Sequence, residues 1–163
     1  MPARRSGHGV ADGGWALPLT AMRLLIDINV LLDVALQRPG APASARLLAL
    51  CGRTHEGWLA WHSIATLACL VERQQSDKSA KDFIRSILVW ADVAKTGRAD
   101  ALAALELPMR DFEDALQVAA AMACGAQFII TRNERDFKAS PVQALSPDAF
   151  LRQHAVPSRP ADA

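Results

Sequence analysis

Short apolar runs alternate with segments of helical periodicity from Arg23 onward. Buried strands are favoured for "RLLID", "GWLAWH", "AQFIIT" and "VQALS", and a weaker strand is expected near Val93. Amphipathic or capped patterns predict helices in "NVLLDVALQR", "PASARLLALCG", "SIATLACLVERQQ", "DKSAKDFIRSILVWADV", "ADALAALEL", "DFEDALQVAAAMACG" and "PDAFLRQH". Strands that alternate with helices indicate an α/β domain with a mostly parallel sheet.

The two ends of the chain differ in composition from this alternating region. Residues 1–21 are rich in Gly, Ala and Pro and lack the apolar core of a signal peptide, so we predict a flexible N-terminal extension. An ordered arm packed on the domain is the alternative. The folded domain is expected to span residues 22–154, and residues 155–163 are predicted to be a disordered tail.

A dense group of polar residues follows the apolar run "FII" without a break. Thr131, Asn133 and Asp136 all lie within six residues of its end, and Asp27 ends the first predicted strand. Sites on parallel sheets form at the carboxyl ends of strands. If these strands are neighbours, the four side chains meet at one rim.

A further acid, Asp114, is predicted to join this rim. Pro108 and Asp111 mark the start of a helix, which places Asp114 in its first turn and on the same face as the apolar Val118 and Ala121. Such a carboxylate points toward the sheet. Carboxylates brought together repel one another unless a cation is present, and hard oxygen ligands suit Mg²⁺ or Mn²⁺.

Composition narrows the class of protein. The chain has 163 residues, 51% of them hydrophobic, which predicts one domain with a real core. The formal charge of +1 gives no bulk attraction to nucleic acid, and no apolar run is long enough for a membrane span. Cys51, Cys69 and Cys124 lie far apart without a C-x-x-C pair, so we expect buried thiols and a reducing, cytoplasmic compartment.

Three segments together resemble the PIN-domain family, most closely its VapC-like toxin branch. They are "LLIDINVLLDVALQR", "DFEDALQVAAAMACGAQFIITRNERDF" and "LSPDAFL", and the resemblance covers roughly Met22 to Leu151. It implies a three-layer α/β/α sandwich with a parallel sheet. It further implies a Mg²⁺- or Mn²⁺-dependent ribonuclease that cleaves RNA phosphodiester bonds, often paired with an antitoxin protein and often a homodimer.

The resemblance also assigns roles to residues. It implies that Asp27, Asp114 and Asp136 are the catalytic acids and metal ligands. The matching polar positions next to the ligands or the substrate are Asn29, Thr131, Asn133 and Arg132. Asn133 stands where many relatives have Asp. Arg132 and Arg135 flank the rim and are equally consistent with phosphate contacts and with solvated turn charges.

One expected acid is missing. Relatives usually carry a second acid early in the helix after the second strand, where this chain has Thr66 or a residue close to it. Glu72 is the only acid nearby, about two turns further along the helix, and an ordinary surface acid is the favoured interpretation. The alternative function is therefore a catalytically degenerate PIN-like domain that binds RNA or a protein partner. A haloacid dehalogenase-type phosphatase is disfavoured because Asn29 replaces its second Asp.

Several of these positions also have purely structural interpretations. Asn29 is equally consistent with capping the first helix, and Asp111 is favoured as a cap rather than a ligand. Asp33 is predicted on a solvated helix face, with a place at the rim as the alternative. Trp58 and Trp61 alternate on the predicted second strand, which favours the core or an interface over base stacking. The apolar helix around Ile84 and Leu88, together with the tryptophans, predicts self-association.

Overall fold

Five parallel strands form the sheet of this computed structural model, which describes residues 21–154. They run in the spatial order β3-β2-β1-β4-β5. Their bounds are β1 (Arg23–Ile26), β2 (Glu56–Leu59), β3 (Ala91–Val93), β4 (Phe128–Ile130) and β5 (Gln143–Leu145). The predicted α/β fold with a parallel sheet is confirmed. The predicted tail, and the predicted extension apart from Ala21, lie outside the described residues.

Within residues 21–154, seven helices connect and cover the strands. They are α1 (Ile28–Ala35), α2 (Ala41–Leu48), α3 (Trp61–Gln74), α4 (Asp77–Ile87), α5 (Arg98–Leu105), α6 (Phe112–Cys124) and α7 (Pro147–His154). A short 3₁₀ helix, Glu134–Phe137, follows β4. Within residues 21–154, no helix has both the length and the apolar character that a membrane span requires.

The core divides into clusters on the two faces of the sheet. Leu24 and Ile26 of β1 pack with residues of α1, α2, α3 and α7. Leu25, between them in sequence, packs with the apolar face of α6. Successive side chains of a strand point to opposite faces, so the helices lie in one layer on each side of the sheet. This is the predicted three-layer arrangement.

Two element boundaries differ from the sequence prediction. β2 ends at Leu59, and α3 begins at Trp61 with Ala60 as its N-cap. Trp61 and His62 are therefore helical, and Ser63 lies inside the helix instead of capping it. Helix α4 ends at Ile87 because the chain turns into β3, which pairs with β2. The apolar run "ILVWADV" fits a helix or a strand locally, and the pairing decides between them.

The parallel register brings several connections to one rim of the sheet. Leu25 is aligned with Trp58 of β2 and with Ile129 of β4. Asp27 and Thr131 directly follow the paired residues Ile26 and Ile130, and Ala60 follows β2 at the same edge. The rim predicted from the sequence therefore forms where β1, β2 and β4 end.

Candidate active site

Asp27 lies at the centre of the rim and is only 3% exposed. Its Oδ1 accepts a hydrogen bond from Gln117 Nε2 at 3.1 Å. Its Oδ2 accepts one from the Thr131 hydroxyl at 2.8 Å and a longer one from Asn29 Nδ2 at 3.4 Å. Asp27 holds the N-cap position of α1, but its side chain does not cap the helix. Side chains from three elements thus fix a buried carboxylate in one orientation.

Thr131 connects this carboxylate to the loop after β4. The Thr131 hydroxyl donates to Asp27 and accepts from the backbone N–H of Asn133 at 3.0 Å. The backbone N–H of Asp136 then donates to the Asn133 carbonyl at 3.0 Å, which starts the 3₁₀ helix. Asn133 and Asp136 are both exposed. The polar run after "FII" is therefore a structured loop held to Asp27.

Asn29 and Asp111 have distinct roles at the two helix starts. Asn29 is the second residue of α1 and donates to Asp27, so the capping interpretation for Asn29 is wrong. Asp111 is the N-cap of α6, and its Oδ1 accepts from the N–H groups of Glu113 and Asp114 at 2.7 and 3.4 Å. The preferred interpretation of Asp111 as a cap is confirmed.

Asp114, in the first turn of α6, has a strongly perturbed carboxyl group. Its pKa is raised from 3.8 to about 6, first by burial and then by the charges of Asp111, Asp27, Asp136 and Glu113. A partly buried carboxyl group beside other carboxylates keeps its proton to a higher pH than one in water. Asp27 and Asp136 are among the charges that raise the pKa of Asp114, so this group titrates near pH 6.

A cleft of about 520 Å³ opens beside Asp114 and Asp136. Three cationic side chains line the same cleft, namely Arg110, Arg135 and Lys138. Asp27 is not among the lining residues, in keeping with its burial. Carboxylates and cationic side chains thus share one opening.

A divalent metal is the group that the family resemblance implies for this rim. Nowhere in residues 21–154 do three or more His, Cys, Asp or Glu side chains gather closely enough to hold a metal ion. The three-acid ligand set therefore stays a prediction. Mg²⁺ commonly uses only one or two protein carboxylates and keeps several waters. The carboxylates of Asp114 and Asp136 in an open cleft fit that kind of site. Burial first, and neighbouring carboxylates second, raise the pKa of Asp114.

The position of the missing acid is not filled by a neighbouring carboxylate. Thr66 is half-buried on α3, and Glu72 is exposed two turns further on. The pKa of Lys81 on α4 is raised chiefly by its hydrogen bond to Asp77, and Glu72 adds to this shift. Glu72 thus faces α4, and it is not one of the charges that act on Asp114.

Asp33 corrects the prediction of a solvated helix face, because it is completely buried. Its Oδ1 pairs with Arg132 Nη1 at 2.7 Å, and its Oδ2 accepts from the Ser44 hydroxyl at 2.8 Å. The Arg132 side chain remains 42% exposed. Arg132 is therefore not a free turn charge, since one edge of its guanidinium is anchored to α1 and the rest faces solvent at the rim.

Two buried polar residues of the rim were missed by the sequence analysis. Gln117 supports Asp27, and its Oε1 has no partner within the described residues. The hydroxyl of Ser63 in α3 is likewise buried without a partner there. Gln117 lies three residues after Asp114, on the same face of a helix rich in Ala and Val. A polar side chain on that apolar face was the available signal.

The cysteines and tryptophans depart in part from expectation. Cys51 and Cys124 are free and buried as predicted, whereas Cys69 is free and exposed. Trp58 is partly buried with Arg23 over its ring, but Trp61 is 70% exposed at the start of α3. The prediction that both tryptophans belong to a core or an interface is therefore not met for Trp61 within this chain.

Comparison with solved structures agrees with this fold. Two solved toxin–antitoxin complexes share the fold: VapBC2 of Rickettsia felis bound to promoter DNA (TM-score 0.62, 16% identity, 77% of this chain and 98% of that chain) and a complex from Klebsiella pneumoniae (0.59, 18%, 76% and 97%). A third solved structure with this fold is VapC20 of Mycobacterium tuberculosis, a toxin that cleaves the sarcin-ricin loop. Its TM-score is 0.54 and its sequence identity 15%, and the match covers 65% of this chain and 86% of that chain.

The family itself follows from a match of sequence. No curated protein sequence matches the chain. The family model for the PIN domain matches residues 23–135, from the start of β1 to the 3₁₀ helix after β4. This match covers more than half of the chain. It includes Asp27 and Asp114, and it ends one residue before Asp136. The chain belongs to the PIN-domain family.

Proposed function

We propose that the protein is a metal-dependent endoribonuclease and the toxin of a toxin–antitoxin pair. The observation that carries the proposal is that Asp114 and Asp136 line one cleft of a PIN domain, at the rim where the buried Asp27 is held by Gln117 and Thr131. Carboxylates that raise one another's pKa are relieved when a cation binds among them. Asp27, Asp114 and Asp136 are the acids of the proposed site.

The residues divide the work of phosphodiester cleavage between them. Asp114 and Asp136 would hold Mg²⁺ or Mn²⁺, and Asp27 would complete the negative field from beneath. When bound, such an ion supplies a Lewis acid that neutralises phosphate charge and lowers the pKa of a bound water. Thr131, Asn29 and Gln117 keep Asp27 oriented. Arg110, Arg135 and Lys138 offer contacts to flanking phosphates.

Partners follow from the family and from the exposed apolar surface. An antitoxin protein is proposed because the similar structures include toxin–antitoxin complexes. A homodimer is proposed because Leu88 and Val89, beside the partly buried Ile84, are 45% and 84% exposed. Sedimentation of the purified chain tests the dimer, and a purely monomeric species at high micromolar concentration contradicts it.

A binding-only PIN domain is the second candidate function. It is favoured by Thr66 at the position of the missing acid and by Glu72, which faces α4 instead of the rim. A Mn²⁺ titration separates the two functions. The nuclease is expected to bind Mn²⁺ and to release protons as Asp114 ionises, whereas a degenerate domain gives no metal-dependent signal.

Cleavage of RNA by the full-length chain tests the leading proposal. We expect Mn²⁺-dependent cleavage that falls on the order of 100-fold or more in Asp27→Asn and Asp114→Asn, because each removes a charge from the proposed metal site. Asp136→Asn is expected to cost less, because Asp136 is the more exposed of the two proposed ligands and a water molecule can replace its carboxylate oxygen. Glu72→Gln and the matched control Asp148→Asn, in the first turn of α7, are expected to keep full activity. Equal cleavage by wild type and Asp27→Asn contradicts the proposal.

A further inference from the structure

The ion pair between Asp33 and Arg132 is asymmetric in its exposure to water. Asp33 is completely buried, whereas 42% of the Arg132 side chain remains exposed. Taking a carboxylate out of water is costly, so an ion pair with a buried acid adds little net stability to a fold. The structural result of the pair is a guanidinium whose Nη1 is fixed at 2.7 Å from Asp33 Oδ1 and whose outer side faces solvent.

The Asp33 carboxylate is itself confined by its neighbours. Its Oδ1 accepts from Arg132, and its Oδ2 accepts from the buried Ser44 hydroxyl of α2 at 2.8 Å. The backbone of Gly40 lies so close that a Cβ there would meet Asp33 Oδ2 at 2.5 Å. Because these contacts hold the carboxylate, the carboxylate in turn sets the direction of the guanidinium.

Arg132 also belongs to the loop that follows β4 at the rim. Thr131, directly before it, donates its hydroxyl to Asp27, and Asn133, directly after it, donates its backbone N–H to that hydroxyl. Asp27 is the N-cap of α1, and Asp33 lies within the same helix. Successive residues of the loop are therefore anchored to two acids of one segment, the first fixing the backbone at Arg132 and the second fixing its side chain.

A second opening, of about 530 Å³, adjoins the candidate active-site cleft. Its lining is the loop from Arg132 to Asp136, and two residues of this loop, Arg135 and Asp136, also line the active-site cleft. Glu134 lines the second opening as well, but its Oε1 accepts from the Ser146 N–H at 2.7 Å, at the start of α7. A phosphodiester chain in the active-site cleft can therefore continue into the second opening, where the two arginines are the cations.

We propose that Arg132 binds an RNA phosphate that neighbours the scissile one, and that the buried Asp33 is its positioning residue. The inference rests on the proposed ribonuclease function and deepens it, because it assigns a substrate subsite outside the active-site cleft. A guanidinium is planar and carries five N–H donors, so one edge can bond a carboxylate while another bonds phosphate oxygens. Asp33 touches neither substrate nor reacting atoms in this arrangement, and Ser44 acts only through Asp33.

RNA binding without cleavage tests the phosphate contact. The probe is a short fluorescein-labelled single-stranded RNA in EDTA, and fluorescence anisotropy gives its affinity for the full-length chain at several salt concentrations. We expect Arg132→Met to weaken binding about 10-fold and to lower the slope of log affinity against log salt concentration by about 0.7, the effect of losing one phosphate contact. Arg73→Met, at an exposed arginine in the last turn of α3, is matched in charge and should leave the slope unchanged.

Asp33→Asn tests the positioning role, because charge and positioning predict opposite results. The variant removes a negative charge, which by charge alone strengthens the binding of RNA. If Asp33 positions Arg132, the variant instead weakens binding about 3-fold or more and causes no further loss in the Arg132→Met background. Arg132→Lys keeps the charge but not the planar group, so it should bind RNA less tightly than wild type. Circular dichroism checks each fold, and Ser44→Ala takes the place of Asp33→Asn in the comparison if that variant does not fold.

Several outcomes overturn the inference. RNA binding by Arg132→Met that equals wild type contradicts the phosphate contact, as does no RNA binding by wild type. Equal or tighter binding by Asp33→Asn contradicts the positioning role, and a loss that persists in the Arg132→Met background would make Asp33 a purely structural residue. The proposed function fails separately: RNA binding with the expected effects but no Mn²⁺-dependent cleavage contradicts the nuclease and leaves the phosphate contact intact.

Discussion

The protonation of Asp114 makes the stability of the folded protein depend on pH. Its pKa is raised from 3.8 to about 6, first by burial and then by neighbouring carboxylates. Because the folded pKa lies above the unfolded value, folding favours the protonated group, and stability falls as the pH rises from about 4 through about 6. We therefore expect Asp114→Asn to raise the melting temperature by a few degrees at about pH 7.5 and to change it little at about pH 4.

The control for this prediction is another first-turn acid. Asp148 in α7 is exposed, and Asp148→Asn should not raise the melting temperature at either pH, since it removes a favourable interaction with the helix dipole. Calorimetry of the three proteins at both pH values makes the comparison. A lower melting temperature for Asp114→Asn at about pH 7.5 would show that Asp114 stabilises the fold instead of straining it.

Arg132 is the second residue for which we predict an effect on stability. Its partner Asp33 is completely buried, so Arg132→Met leaves a buried carboxylate with the Ser44 hydroxyl as its remaining side-chain partner. We expect a loss of about 1–3 kcal/mol in the free energy of unfolding, measured by urea denaturation. Arg135→Met is the matched control, because Arg135 has no ion pair within residues 21–154. Equal losses in the two variants would mean that the Asp33 pair contributes nothing specific.

Helices with clear local signals were predictable as elements. Helix α6 ends where Gly125 adopts a left-handed conformation with φ of 68°, and α7 spans the predicted "PDAFLRQH". The start of α3 was missed because "GWLAWH" alternates like a strand and Ala60 gives no side-chain capping signal. The burial of Asp33 was missed because its partner Arg132 is 99 residues away in sequence. Residues close in sequence are enough to predict helices and strands. A contact between residues far apart in sequence, such as Asp33 and Arg132, becomes visible only in the folded structure.

Helix α6 depends on its terminal glycine, which gives a prediction at the level of an element. A Cβ at Gly125 would meet only the Arg23 guanidinium at 3.7 Å, so the cost of Gly125→Ala is the left-handed backbone alone. We expect a loss of about 1 kcal/mol in the free energy of unfolding, measured by urea denaturation. Gly125→Asn is the control, because Asn adopts the left-handed conformation more readily than Ala. An equal or larger loss for Gly125→Asn would show that the left-handed backbone is not the source of the cost.

At the scale of the whole molecule, the sheet brings the side chains around Asp27 together from distant parts of the chain. Asp27 bonds to Gln117 and Thr131, which are 90 and 104 residues away in sequence. The sequence predicted the meeting of Asp27 with Thr131, because both follow apolar strands of a parallel sheet. It did not predict Gln117, since the orientation of α6 over β1 depends on packing between Leu25 and Val118 in the core.

The backbone of Met22, at the start of the domain, is already hydrogen-bonded to the segment around β2. Removal of the residues before Met22 should therefore not unfold the domain. The Met22 N–H donates to His55 Nδ1 at 3.3 Å, and its carbonyl accepts from Glu56 N–H at 2.8 Å. We expect deletion of residues 1–21 to leave the melting temperature nearly unchanged, because these contacts belong to Met22. A drop of many degrees in calorimetry would show that the segment packs on the domain.

The proposed metal site is tested most directly by a crystal of the full-length protein soaked in Mn²⁺. The account predicts an anomalous difference peak bordered by Asp114 and Asp136, on the side of the cleft nearest Asp27, and its loss in Asp114→Asn crystals. Carboxylate oxygens should lie about 2.0–2.2 Å from the peak, with waters completing the coordination. A Mn²⁺ peak at another place in the molecule contradicts a metal-dependent nuclease built on these acids. The absence of any Mn²⁺ peak in the soaked crystals contradicts it as well.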